Sequence, residues 1–265
     1  MSLGKRKCDD TTGGGTQENN TSLNIASYID HTVLKPTTLE QDIVKCCNEA
    51  LQYSFAAVCV PPNFVKCAKR VLDEATAVEH KVLVATVIGF PFGYSSISAK
   101  MAEVWEAVVD GADELDMVAN ISAIKAHDWD YLKDEVMQII GPIRSSKRIL
   151  KVIIESGVLT EEEIVKCCEI YGAAGIDYLK TSTGYAENKQ GASVEAVKLF
   201  RQHLPATVQI KASGGIRDYA TAMRMVEAGA NRLGCSAGVA IVSSSVNSAA
   251  VATTVQQVTG TGDSY

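Results

Sequence analysis

The feature that most constrains this chain is the regular alternation of short apolar runs with longer amphipathic stretches. Most of the runs are rich in valine, isoleucine or leucine, which is typical of strands buried on both faces. The eight runs are residues 28–33, 56–60, 82–88, 114–118, 150–154, 176–180, 208–211 and 232–235, of which the first and last are the weakest. We therefore predict eight short strands.

The stretches between the runs carry apolar residues at spacings of three and four, which predicts amphipathic helices. These helices cover residues 38–52, 98–109, 129–140, 160–171, 193–204 and 218–227. One of them begins with Thr160 and the three glutamates that follow it, a sequence typical of a capping box at a helix N-terminus.

A strand followed by a helix, repeated eight times, predicts parallel strands joined by right-handed crossovers. Eight such units in a chain of 265 residues predict a single α/β domain, the closed (β/α)8 TIM barrel. An open, doubly wound sheet is the alternative, but no G-x-G-x-x-G motif opens the first helix. We assign residues 1–22 to a disordered N-terminal extension, 23–250 to the barrel, and 251–265 to a helix end and flexible tail.

Composition excludes several classes of function. The net charge of −6 argues against general nucleic-acid binding, which requires a basic surface. The eight cysteines lack zinc-site spacing and the four histidines form no ligand pattern, so we expect no metal and no cofactor. The N-terminus has no apolar signal core, and the charge-free segment 82–99 contains glycines and a proline. We therefore expect a cytoplasmic protein with reduced thiols and no membrane partner.

Polar residues in or at the end of the predicted strands are the candidates for chemistry. Lys180 and Lys211 end the sixth and seventh strands, while Asp116 and Lys151 interrupt the apolar fourth and fifth. Cys59 lies near the end of the second. Barrel enzymes place their active sites at the C-terminal ends of the strands.

Two neighbouring lysines suggest an amine that acts as a nucleophile. Each ammonium group disfavours the charge of the other, so one amine can be neutral near neutral pH. The pairing does not identify which of Lys180 and Lys211 is the nucleophile, and Asp116 would move the protons. The alternative is that each of these residues is half of a buried ion pair with a structural role.

Glycine-rich turns follow the last strands. Gly214 and Gly215 come after the seventh strand, and Gly234 and Ser236 accompany the eighth. Gly184 follows the sixth. Phosphate groups in such barrels bind after strands seven and eight, where glycines allow backbone N–H groups to approach an anion. The turns therefore predict a phosphate site.

Together these segments closely resemble the deoxyribose-phosphate aldolase family, from about Ile25 to about Val242. The resemblance is carried by residues 29–32, 57–60, 111–116, 150–155, 180–184, 211–217 and 233–236. It implies metal-independent, reversible cleavage of 2-deoxy-D-ribose 5-phosphate to D-glyceraldehyde 3-phosphate and acetaldehyde through a lysine Schiff base. The sequence departs from the family at Ala237, where a serine is common, and this puts one phosphate hydrogen bond in doubt.

The resemblance also implies the roles of individual residues. Lys180 would be the Schiff-base lysine, Lys211 the neighbour that lowers its pKa, and Asp116 the proton donor and acceptor. The substrate pocket would include Asp30, Cys59 and Lys151. The phosphate would be held by Thr183, Gly184, Gly214, Gly215, Gly234 and Ser236.

Two other functions are alternatives. A catalytically silent barrel that binds a protein or a phosphorylated ligand would be expected to lack one of the lysines or Asp116. Another phosphate-handling lyase or isomerase would be expected to have one interior lysine. The expected partner is a small phosphorylated sugar, and both a homodimer and a homotetramer stay open. Tyr265, at the end of the tail, is a further candidate for proton transfer.

Overall fold

A computed structural model describes residues 23–75, 80–188 and 190–244. Its eight strands form a closed parallel barrel in chain order, with the last strand paired to the first. The strands are β1 Ile29–Thr32, β2 Ala57–Val60, β3 Leu83–Ile88, β4 Glu114–Val118, β5 Ile149–Ile153, β6 Tyr178–Lys180, β7 Gln209–Ser213 and β8 Arg232–Cys235. The predicted TIM barrel is confirmed, and each apolar run overlaps one strand.

Helices cover the outside of the barrel. They are α1 Glu40–Tyr53, α2 Val65–Asp73, α3 Ile97–Val109, α4 Ile121–Lys125, α5 Trp129–Ser145, α6 Glu161–Ala174, α7 Val194–His203 and α8 Tyr219–Glu227. Helix α6 has the predicted capping box, in which Thr160 Oγ1 accepts from Glu163 N and Glu163 Oε2 accepts from Thr160 N. None of the helices in the described part of the chain is long and apolar enough to cross a membrane.

Two helices were not predicted, and α5 and α6 extend five and three residues beyond their predicted C-terminal ends. Helix α2 has nine residues, and only Val65 and Ala68 are fully buried, so its periodic signal is short. Helix α4 has five residues, too few to show periodicity. Helix α5 continues past Pro142 to Ser145, where the Ser145 and Ser146 hydroxyls donate to the carbonyl oxygens of Gly141 and Pro142.

The barrel strands are buried on both faces, but the two faces differ in chemistry. Outward side chains such as Leu115, Leu179 and Ile210 are fully buried and pack in the apolar core with the helices. Inward positions on β4 to β8 and on β1 carry charged side chains. Inward positions on β2 and β3 carry small apolar ones instead. The barrel interior therefore has a charged half and an apolar half.

Several predictions concern residues that the structure does not describe. The N-terminal extension 1–22, the tail 251–265 and the terminal Tyr265 lie outside the described residues. The barrel itself is described as far as residue 244, so its predicted end at 250 stays a prediction.

Candidate active site

Lys180 is the last residue of β6, and its side chain enters the charged half of the barrel. It pairs in register with Lys211 on β7, as expected for two lysines at the same depth. Both amines lie within hydrogen-bond distance of one oxygen, Asp116 Oδ2, at 2.8 Å for Lys180 and 2.7 Å for Lys211. Lys151 Nζ contacts the other oxygen, Asp116 Oδ1, at 2.8 Å. The structure thus brings together the three lysines and the aspartate that the sequence singled out.

Two further charged residues complete this group from below. Glu114, two residues before Asp116 on β4, accepts from Lys151 Nζ at 2.5 Å. Arg232, at the start of β8, donates to Glu114 Oε1 at 3.1 Å and through Nε to Asp30 Oδ1 at 2.6 Å. Asp30 Oδ2 lies 2.5 Å from Lys211 Nζ. Asp30 and Lys151, predicted as pocket residues, are therefore held in one ionic network with Glu114 and Arg232, which were not predicted.

The electrostatics of the site distinguish the two lysines whose roles the sequence left open. Burial lowers the pKa of the Lys180 amine, and the charge of Lys211 lowers it further, against the opposing effect of Asp116. Burial acts in the same direction on Lys211, but Asp116 and Asp30 outweigh it, so the pKa of Lys211 is raised. Lys180 is therefore the better nucleophile, because more of it is neutral amine.

Lys151 and Asp116 both stay charged. Burial disfavours the charge of Lys151, but Asp116 and Glu114 outweigh it and raise its pKa. Burial also disfavours the Asp116 carboxylate, but Lys151, Lys180 and Lys211 hold the pKa of that group well below its usual range. Asp116 is therefore an ionised base in contact with the Lys180 amine.

A cavity of about 850 Å³ opens at the C-terminal ends of the strands. Lys180 lines it, whereas none of the other charged residues of the network does. All the predicted phosphate-binding residues line it as well, namely Thr183, Gly184, Gly214, Gly215, Gly234 and Ser236. The cavity therefore joins the Lys180 amine to the glycine turns that follow β6, β7 and β8.

The glycine turns require glycine for two physical reasons. Gly184, Gly214 and Gly215 have backbone φ values of 85°, 87° and 80°. Residues other than glycine rarely adopt this conformation. Space is also limited, because a Cβ on Gly191 would lie 2.1 Å from the Gly214 carbonyl oxygen. Gly191, in the loop before α7, was not predicted, and only its three-dimensional contact with the turn after β7 reveals its role.

Thr183 is held by hydrogen bonds to Glu155, a residue that was not predicted. The Thr183 N–H donates to both Glu155 carboxylate oxygens at 3.3 and 3.2 Å, and its hydroxyl also donates to Oε2. Glu155 has a left-handed backbone, with φ of 54°, and is almost fully buried. The hydroxyl of Thr183 also accepts from Tyr185 N–H at 3.0 Å. Thr183 thus fixes the shape of this turn.

Cys59 lies in the apolar half of the barrel. It forms a cluster with Ala57, Ala85 and Val87, against which Leu34 and Phe90 pack at the barrel mouth. Burial raises the pKa of the Cys59 thiol, so this group is a protonated, weakly reactive one. Cys59 is fully buried and does not line the cavity, so its assignment to the substrate pocket stays a prediction. Among residues 23–75, 80–188 and 190–244, no group of three or more metal-ligating side chains could hold a metal ion.

Comparisons with known proteins agree with this architecture. The model of the DeoC/LacD family of aldolases matches residues 24–244. A deoxyribose-phosphate aldolase from Thermococcus gammatolerans is 49% identical over 225 residues, covering 85% of this chain and 98% of its own. The solved structure of the aldolase QR15 is 40% identical with a TM-score of 0.77, covering 86% and 98% of the two chains. A deoxyribose phosphate aldolase from Aeropyrum pernix, described as a tetramer, is 29% identical with a TM-score of 0.76 and covers 83% and 90%.

Proposed function

Because the chain belongs to the DeoC/LacD family of aldolases, we propose that it cleaves 2-deoxy-D-ribose 5-phosphate reversibly to D-glyceraldehyde 3-phosphate and acetaldehyde. It is a carbon–carbon lyase. The observation that carries the proposal is the position of Lys180, the one member of the charged network that lines a cavity shared with three glycine turns. An amine and a phosphate site in one cavity suit a phosphorylated aldehyde substrate.

The reaction begins with a Schiff base on Lys180. The neutral amine attacks the C1 aldehyde carbon, and Asp116, 2.8 Å from Nζ, accepts the proton that the nitrogen releases. Asp116 passes this proton to the oxygen of the former aldehyde, which gives the neutral carbinolamine. A second proton, taken up from solvent, then protonates the hydroxyl, which leaves as water and yields the cationic iminium ion. Lys211 stays charged throughout, since its pKa is raised by Asp116 and Asp30 against the effect of burial.

Carbon–carbon cleavage follows from the iminium ion. Loss of the proton from the C3 hydroxyl breaks the C2–C3 bond, and the electron pair moves onto the C1 iminium to form an enamine. D-Glyceraldehyde 3-phosphate leaves with carbons three to five. Protonation of the enamine at C2 and addition of water to the resulting iminium release acetaldehyde and restore the amine. Asp116 and the C3 hydroxyl are the groups between which these protons pass.

We assign the phosphate to the part of the cavity wall formed by the turns after β6, β7 and β8. The turns at Gly184, Gly214 and Gly215 and the start of the segment after β8, with Gly234 and Ser236, supply closely approaching backbone. Thr183 contributes to this wall mainly through the hydrogen bonds that it makes to Glu155. Leu34, which packs against the small apolar cluster around Cys59, lines the cavity, and we assign the hydrocarbon end of the substrate to that side.

The assembly and location of the protein are also part of the proposal. We expect a homo-oligomer, either a homodimer or a homotetramer, with the tetrameric Aeropyrum pernix relative supporting the larger form. A cytoplasmic location is supported by the cysteines, which are free wherever the structure describes them.

Borohydride trapping tests the proposed chemistry directly. With acetaldehyde as the donor, reduction of the iminium ion adds two carbons to the protein, and peptide mapping places the added mass on Lys180. The same treatment without aldehyde is the control for unspecific reduction. A label on Lys211, or no label, contradicts the assignment.

The phosphate wall is tested by Gly191→Ala. The added Cβ would lie 2.1 Å from the Gly214 carbonyl oxygen, so the turn after β7 must move. Each hydrogen bond to a charged group contributes about 1.5–3 kcal/mol, so we expect KM for 2-deoxyribose 5-phosphate to rise by roughly tenfold or more. Turnover of unphosphorylated 2-deoxyribose stays at its wild-type rate. The matched control is Gly141→Ala in helix α5, where a Cβ meets nothing within 4 Å.

A further inference from the structure

The charged residues inside the barrel form a closed ring of alternating sign. Following the contacts from Asp116, the ring passes through Lys151, Glu114, Arg232, Asp30 and Lys211 and returns to Asp116. Every member contacts an oppositely charged neighbour on each side. We call these six residues the charge ring. All are nine-tenths or more buried, so each charge depends on its neighbours for compensation.

Lys180 is attached to the charge ring without belonging to it. Within the part of the chain that the structure describes, its one carboxylate contact is Asp116 Oδ2, at 2.8 Å, which Lys211 already contacts at 2.7 Å. The ring holds three carboxylates and three cations and is therefore neutral by itself. A proton on Lys180 would add a fourth buried cation, for which the ring has no carboxylate left. A neutral Lys180 amine leaves the interior balanced.

We propose that Glu114 and Arg232 are positioning residues for catalysis, which keep the Lys180 amine neutral by fixing the charge balance of the ring. The inference rests on the proposed Schiff-base function. Neither residue lines the cavity, and neither forms an ion pair with Lys180. They act through the ring: Arg232 occupies one side of Asp30 and Glu114 one side of Lys151. Asp30 pairs with Lys211, and Lys151 pairs with Asp116. These pairs determine how much of the positive charge of Lys211 and of the negative charge of Asp116 acts on the Lys180 amine.

The other titratable groups near Lys180 lie outside the ring and are left unchanged in the two charge variants described below. Cys59 on β2 is a protonated thiol, because burial raises its pKa. Glu155, after β5, accepts from Thr183, and burial raises the pKa of its carboxyl group against the opposing effects of Thr183 and of the Lys180 charge. Tyr178 on β6 lies against the ring, with its aromatic ring 5.9 Å from Lys151 Nζ and 6.0 Å from the Arg232 guanidinium. Burial raises the pKa of this phenol, so it stays neutral as well.

Two substitutions of opposite sign test the proposal. Arg232→Met removes a cation, so a protonated Lys180 becomes the missing counter-charge and the acid limb of kcat/KM moves to higher pH. Glu114→Gln removes an anion, so protonation of Lys180 becomes still less favourable and the limb moves to lower pH. We expect each shift to be about one pH unit or more, a tenfold change in rate at a pH on the limb. The double variant E114Q/R232M returns the limb toward its wild-type position.

The readouts separate this inference from the proposed function and from simple loss of folding. The pH dependence of borohydride trapping with acetaldehyde is measured first on the wild type, where an absence of trapping contradicts the Schiff-base function itself. Tyr178→Phe is the matched control, since it disturbs packing against the ring without changing its charge. We expect the acid limb of its kcat/KM profile at the wild-type pH. Circular dichroism establishes that each variant is folded.

The direction of the shifts decides the outcome. Shifts of opposite sign in the two single variants support the proposal, and one folded single variant suffices because each shift has its own sign. The proposal is overturned if the acid limbs of the two single variants stay at the wild-type pH or move in the same direction. If neither single variant folds, E114Q/R232K carries the test, since it keeps a cation and a neutral hydrogen-bonding partner. Its limb is expected at lower pH, and an unmoved limb overturns the proposal.

Discussion

Replacing Lys180 with methionine abolishes turnover and borohydride trapping while the barrel stays folded. The nucleophile is lost, and the rate falls by roughly 10⁵-fold or more, as it does when other covalent nucleophiles are removed. The fold is retained because Asp116 keeps Lys151 and Lys211 as partners and no carboxylate loses its last cation. Methionine also matches the length and unbranched shape of the lysine side chain.

The measurement combines steady-state cleavage, mass spectrometry after borohydride treatment and thermal unfolding. Lys198→Met is the matched control, because Lys198 is an exposed residue of helix α7, on the outside of the barrel. It keeps wild-type turnover and the label on Lys180. Residual trapping at another lysine in Lys180→Met, with turnover maintained, would show that the nucleophile lies elsewhere.

Lys211→Leu moves the acid limb of kcat/KM to higher pH and lowers activity at neutral pH. Without Lys211, Asp30 keeps Arg232 and Asp116 keeps Lys151, but the interior lacks one cation. A protonated Lys180 then restores the balance, so its pKa rises and less of it is neutral amine at a given pH. A rise of about two units leaves a hundredfold less free amine below the limb. Below the new pKa the rate falls tenfold for each further pH unit.

The control for this prediction preserves the charge. Lys211→Arg keeps a cation between Asp30 and Asp116, so its limb lies near the wild-type pH even though the different geometry lowers the maximal rate. Borohydride trapping of Lys211→Leu at alkaline pH still labels Lys180. A limb at the wild-type position in Lys211→Leu would refute the electrostatic role of this residue.

The sequence predicted the barrel because its strands are buried on both faces, so each appears as a continuous apolar run. The same property identified the chemistry, since a lysine or aspartate within such a run has no place in an ordinary core. Lys180, Lys211, Asp116 and Lys151 were found in this way. Glu114 could have been found as well, because it lies two residues before Asp116 and side chains alternate along a strand.

Other parts of the site could not be predicted, because they depend on contacts across the barrel. Arg232 on β8 reaches Glu114 on β4, and no local pattern indicates that these two strands face one another closely enough. Gly191 is required by the carbonyl of Gly214, which is distant in the sequence. The sequence also could not assign the nucleophile, because the two lysines differ in how many carboxylates each contacts and in whether each lines the cavity, and both are properties of the folded barrel.

The closed charge ring also determines where the interior can change its charge. Every member of the ring has two opposite neighbours, so a gain or loss of charge within it would leave both neighbours incompletely paired. Lys180 is the position where charge can alternate without unpairing another group. Catalysis requires that alternation, since each turnover converts a neutral amine into a cationic iminium ion and back. Asp116 holds a proton only in passing between these states, so the ring carries the same charge in the amine state and in the iminium state. The two states differ by one positive charge beside Asp116.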